Sequence, residues 1–173
     1  MNEVINVFTT SKLPQIVSQH KNNTTTYAKG DSGASDHYFM QKDAKFLKNI
    51  HAHTSNPIAL PNNEFITSTQ QGEATLHNNL STKAKTVKIL PSLKSSSLIS
   101  VGKLCDDNCR VEFDKQEMIV KKNNDIILKG YRNFSDGLWD IPIYKTNIQT
   151  NNYIQPTAHP SIYYTSHLPR VKM

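Results

Sequence analysis

Apolar and polar positions alternate in short runs between Tyr27 and Tyr144, and the runs are bounded by Asn, Asp, Gly and Pro. Residues 57–60 and 65–69 flank Pro61-Asn62-Asn63-Glu64, a pair of short runs around turn-forming residues that predicts a hairpin. Residues 72–76 and 84–90 predict two further strands, with Lys85, Thr86 and Lys88 limiting how far either face is buried. Residues 110–113, 118–120 and 126–128 predict three more, turned at Asp114-Lys115-Gln116 and at Asn123-Asn124-Asp125. Residues 137–143 predict a last strand; Pro142 has no N–H to donate, so it argues for a sheet edge, with Trp139 as a core residue of that edge strand. Helical spacing is brief. Residues 41–50 put Phe46, Leu47 and Ile50 on one side, and residues 97–105 put Leu98, Val101 and Cys105 on one stripe with Ile99 and Leu104 beside it. Many short strands with one or two short helices predict a mainly β domain, a closed barrel or a sandwich.

Composition bounds this picture. A length of 173 residues fits one domain. The organisation expected is a leader and linker over 1–25, a domain over 26–145 and a poorly ordered, Asn-, Pro- and Tyr-rich tail over 146–173. Hydrophobic residues are 36%, below the roughly 45–50% usual for a globular chain, which predicts a small core with long loops. The chain has neither an apolar run of about 18 residues nor a basic start followed by an apolar stretch, so neither a membrane partner nor a secretory signal is expected. Two cysteines, Cys105 and Cys109, are too few for a disulfide scaffold, and their C-x3-C spacing lacks two further zinc ligands near by. Free thiols in a reducing, cytoplasmic setting are expected, with no metal and no cofactor. The net charge is +6, yet the lysines are scattered and not interleaved with aromatics. That predicts solvated lysines and no nucleic-acid site; a basic nucleic-acid binder would show affinity falling steeply with salt.

The chemistry-bearing stretch is Gly30-Asp31-Ser32-Gly33-Ala34-Ser35-Asp36-His37. Serine as nucleophile, as in trypsin-like proteases, requires a His and an Asp earlier in the chain, and only His20 and Glu3 precede it. A serine hydrolase of the Gly-Asp-Ser type requires a late Asp and His; His159 and His167 lack an Asp three residues ahead. The remaining reading makes Asp31 the reacting group. Two carboxylates at hydrogen-bond distance cannot both ionise, so one keeps a proton: the ionised one accepts a proton from water while the other donates to a peptide carbonyl. A hydroxyl beside the aspartate both donates and accepts, and a glycine next to it lets two backbones approach. The chain carries one Asp-Ser-Gly; Ser135-Asp136-Gly137 has the wrong order. A two-carboxylate site therefore requires two copies on a two-fold axis. As a bare triplet, Asp-Ser-Gly is also an ordinary turn sequence.

The surrounding blocks are more specific. Asp31-Ser32-Gly33-Ala34-Ser35 with His37, Ile58-Ala59-Leu60-Pro61-Asn62-Asn63, Gly72, Ile89-Leu90-Pro91-Ser92-Leu93-Lys94, residues 97–104 and Asp136-Gly137-Leu138-Trp139 follow one another in order. In that order and spacing the stretch from Tyr27 to Tyr144 resembles the protease region of Ty1/copia-type retrotransposon polyproteins. The resemblance implies a retropepsin-like closed barrel, a homodimeric aspartic endopeptidase and a polypeptide substrate, the parent polyprotein, in the cytoplasm and within virus-like particles. It implies Asp31, Ser32 and Gly33 as the catalytic loop, and Ala34, Asn62 and Asn63 as substrate-contacting positions. A flap would lie near Asn62-Asn63, and Leu98-Ile99-Ser100 would start a helix packed under the loop. The alternative is a catalytically inactive remnant of such a polyprotein that acts as a protein-interaction module. Two local expectations go with these readings. Lys29-Gly30 should weaken the strand leading into Asp31, because glycine costs order in a strand and lysine is not buried unpaired. His37 is expected to be a surface or loop histidine.

Overall fold

The computed structural model describes residues 25–60 and 63–145. The leader over 1–24, the tail over 146–173, Pro61 and the predicted site residue Asn62 lie outside the described residues. The strands are β1 (Thr25–Asp31), β2 (Tyr38–Met40), β3 (Leu47–Ala52), β4 (Ile58–Ala59), β5 (Phe65–Ile66), β6 (Gln70–Ala74), β7 (Thr86–Leu90), β8 (Ser97–Ser100), β9 (Arg110–Phe113), β10 (Glu117–Lys122), β11 (Asp125–Arg132) and β12 (Trp139–Tyr144). Two short helices, α1 (Thr82–Lys85) and α2 (Val101–Asp106), and a 3-10 turn over Gln41–Phe46 complete the domain. The class is mainly β, as expected. β1 begins at Thr25, opposite Tyr144, one residue before the expected boundary.

Local sequence accounts for most of these elements. β10 alternates, with Met118 and Val120 buried between less buried neighbours, and β7 does the same through Val87 and Ile89. Asn123 and Asn124 take φ of 52° and 70°, the left-handed pair that a two-residue hairpin between β10 and β11 requires. Asp114 Oδ1 accepts the N–H groups of Gln116 and Glu117 at 2.7 and 2.6 Å, closing the turn from β9 to β10. The two predicted helices are corrected. Residues 41–50 split into the 3-10 turn and β3, which pairs with β6, and Asn49 at φ 50° breaks any helix there. Residues 97–105 split at Ser100, whose Oγ accepts the Lys103 N–H and caps α2; the four residues ending at Ser100 pair as a strand with β1.

Ten strands form one sheet in the order β3-β6-β7-β2-β8-β1-β12-β11-β10-β9, and β4-β5 form a separate hairpin. One core takes side chains from across that sheet, among them Ala28, Phe39, Ala74, Val87, Ile99, Met118, Ile127 and Ile141. The expected closed barrel is not formed: β3 pairs with β6 alone, and β9 with β10 alone. β3 is largely polar and exposed, and β9 is about half-exposed. β3 carries Lys48, Asn49 and His51, and β9 carries Arg110 and Glu112. β3 lacks the apolar alternation that burial on closure needs. The expectation for β12 is also amended. It lies between β1 and β11, yet β11 reaches only as far as Trp139 and Asp140. Pro142 faces a neighbour on the β1 side alone, which is why its missing N–H is tolerated.

The topology around β8 positions the chemistry-bearing loop. β8 is parallel to β1 on one side and antiparallel to β2 on the other. Residues 32–37, which join β1 to β2, must therefore pass over the end of β8, where Ser100 stands.

Candidate functional site

Asp31 is the last residue of β1, in register with Ser100 of β8, and is half-buried; Ser32 and Gly33 beyond it are exposed. The Gly33 N–H donates to Asp31 Oδ1 at 2.7 Å. A Cβ at position 33 would meet that oxygen at 3.4 Å, an ordinary van der Waals contact. One carboxylate oxygen is thus held by the loop's own backbone.

The loop is fastened from beneath by Ser100 and His37. Ser100 Oγ donates to the Ala34 carbonyl at 2.5 Å, and the Ser100 N–H donates to His37 Nδ1 at 2.8 Å. His37 Nε2 lies 2.8 Å from the Ala84 carbonyl. An acceptor role at Nδ1 and a carbonyl opposite Nε2 fix the neutral tautomer with its proton on Nε2. His37 lies in the loop between β1 and β2, one of the two expected settings, but it is fully buried and not at the surface. Burial first, and the Lys103 charge second, push its pKa down to about 4. His37 is a strut between the loop, β8 and α1, and not a group presented to a substrate.

Two charge clusters stand on either side of the loop. Before it, Lys29 Nζ reaches Asp136 Oδ2 at 2.5 Å and Asp140 Oδ1 at 2.6 Å. Burial alone would lower the Lys29 pKa; the two carboxylates outweigh it and hold it above the ordinary value. After the loop, Asp36 receives Lys103 on Oδ1 and Lys88 on Oδ2, the latter at 3.0 Å. Burial would raise the Asp36 carboxyl, yet the hydrogen bond and charge of Lys103, with Lys88, hold it below the usual range. Lys103 also donates to the Thr86 carbonyl at 2.7 Å, and burial depresses its pKa.

These clusters correct the expectation of a weak lead-in strand. Lys29 is buried, but paired. Gly30 answers a packing demand, since a Cβ there would lie 2.5 Å from Met118 Sδ and 3.4 Å from Ile141 Cδ1. β1 is instead paired along its length, with β12 on one side and β8 on the other.

Ala34 packs against a small second core of Tyr38, Ile66 and Leu90, which also receives Ile58 and Leu60 of the β4–β5 hairpin. Loop and hairpin thus share an apolar patch. Asn63 is exposed in the hairpin turn at φ 63°, its N–H donating to the Leu60 carbonyl at 3.0 Å. The hairpin's link to the loop runs through Ile58, Leu60 and Ile66, not through Asn63. Among the described residues no group of three or more His, Cys, Asp or Glu is placed to hold a metal ion, and no helix is long and apolar enough to cross a membrane. Cys105 is exposed and Cys109 buried, both as free thiols. Compared with family models, with curated proteins and with solved structures, the chain matches none of them.

Sequence reasoning did not find the Lys29, Asp36 or His37 contacts. The signal available was a lysine inside a strand that otherwise buries Ala28. It demands a carboxylate, but the sequence does not say which one.

Proposed function

We propose that this chain is an aspartic endopeptidase domain of a retrotransposon-type polyprotein, with a retropepsin-like arrangement completed in a homodimer. One observation carries the reading. Asp31 ends a strand paired on both sides, in an Asp-Ser-Gly loop whose tip is exposed and whose base is fastened by Ser100 and His37. A second copy across a two-fold axis would supply the other carboxylate. In such a pair the ionised Asp31 takes a proton from a water, whose oxygen attacks the peptide carbonyl carbon. The protonated Asp31 donates to the carbonyl oxygen. Breakdown of the tetrahedral adduct breaks the C–N bond, with a proton passing to the leaving amine. The β4–β5 hairpin, joined to the loop through the Ala34 patch, is suited to cover the bound peptide.

The test is cleavage of an unfolded protein at mildly acid pH. Specific activity rises with enzyme concentration as dimers form, and Asp31→Asn abolishes it. Activity that survives in Asp31→Asn overturns the mechanism. No cleavage at any enzyme concentration returns the chain to the alternative, an inactive interaction module.

A further inference from the structure

The loop joining β11 to β12 carries two exposed apolar side chains, Phe134 at 71% and Leu138 at 46% exposure. Beneath it opens a cavity of about 270 Å³ lined by Lys115, Arg132, Phe134 and Gly137. The Arg132 guanidinium lies 4.8 Å above the Trp139 ring, and Trp139 meets Phe113 edge to face with centroids 4.9 Å apart. The Trp139 indole N–H is buried without an acceptor. Aromatic and arginine side chains gathered around a small cavity are the composition of interface hot spots.

Both charged groups in the lining are cations, and the carboxylates around them are turned elsewhere. Asp114 holds the turn amides of Gln116 and Glu117; Asp136 is drawn to Lys29 and the Leu138 N–H. Asp140 bonds Lys29 and Asn133, and Glu117 bonds Lys129. Arg132 and Lys115 have no carboxylate partner among the described residues. Outside the described residues Glu3 is the sole acidic side chain of the sequence.

We infer that this cavity docks an acidic peptide segment of another chain, a Glu or Asp side chain between Lys115 and Arg132 with an adjacent Leu or Phe against Phe134 and Leu138. A cavity that size takes one side chain, not a strand of nucleotides. Two cations without a flanking basic stripe favour a single carboxylate over a phosphate backbone. This inference does not rest on the chemistry of Asp31.

The experiment measures anisotropy of a rhodamine-labelled peptide, Gly-Ser-Glu-Phe-Glu-Leu-Ser-Gly, against a twin with Lys for Glu, and follows the fluorescence of Trp139, the single tryptophan. The acidic peptide binds saturably and changes Trp139 emission, and the Lys twin binds at least about tenfold more weakly. Lys115→Glu, at an exposed turn position that leaves the fold alone, weakens the acidic peptide by about tenfold, and Arg132→Gln does the same. Equal binding of both peptides, no binding, indifference to Lys115→Glu, or preferential binding of a labelled single-stranded oligonucleotide each overturns the inference.

Discussion

The two charge clusters beside the Asp31 loop are built on opposite stoichiometries. Before the loop, one lysine is shared by two carboxylates; after it, one carboxylate is shared by two lysines. Lys29 is held by charge on both sides, and its pKa rises in spite of burial. Lys103 is one of two cations on Asp36, and burial lowers its pKa. The first cluster ties β1 to β12 and to the loop before it. The second ties the far end of the loop to β7 and α2. The difference teaches that a loop can be anchored at one side by a surplus of negative charge and at the other by a surplus of positive charge, leaving its tip uncommitted.

The largest expected break in that comparison is Lys29→Met. It leaves Asp140 buried with only its remaining polar contacts, including the Asn133 amide at 2.9 Å, and should cost about 3–4 kcal/mol in urea unfolding. A cost below that of Asp36→Asn would reverse the ranking of the two clusters. Next is the pH dependence that His37 confers. The unfolded chain protonates His37 near 6.5, while the folded one holds it neutral down to about 4. The folded pKa is the lower one, so this contribution is complete above the unfolded value, declines as the pH falls through that window, and is absent below about 4. It amounts to about 3 kcal/mol at neutral pH. Urea midpoints should fall across the window and flatten in His37→Gln. For the proposed peptidase this means that the mildly acid conditions favouring a shared proton also loosen the strut beneath the loop.

Asp36→Asn should cost less, about 1–2 kcal/mol, because Lys88 is 26% exposed and finds water. The smallest effect is Gly30→Ala, about 1 kcal/mol, since the Met118 thioether is flexible and can turn away. Met118→Ala should relieve the crowding, so the double variant loses less than the sum of the two single changes.

Much of the fold was legible because alternation is a direct image of half-buried strands. β9, β10, β11 and the β4–β5 hairpin lie where the spacing put them. β3 and β8 were not legible as strands. β3 is an exposed edge with no buried face to mark it, and β8 runs straight into a helix at Ser100, so its apolar residues merge with the helical stripe. Closure was not legible either, because it depends on whether two remote edges meet. Of the site, the Asp31-Ser32-Gly33 turn was plain. What fastens it was hidden, because His37, Ser100 and Ala84 are far apart in the chain and join only when β8 comes between β1 and β2.

The unclosed sheet carries a consequence for concentrated protein. Its β3 border is blunted by the irregular register between Lys48 and His51 and by the kink at Asn49. The β9 border has no such irregularity, and its Arg110, Val111, Glu112 and Phe113 keep an even ladder. Growth by strand addition is therefore one-sided. Among the described residues the outer edge of β9 has no strand beside it, so this even ladder is the border more open to strand addition.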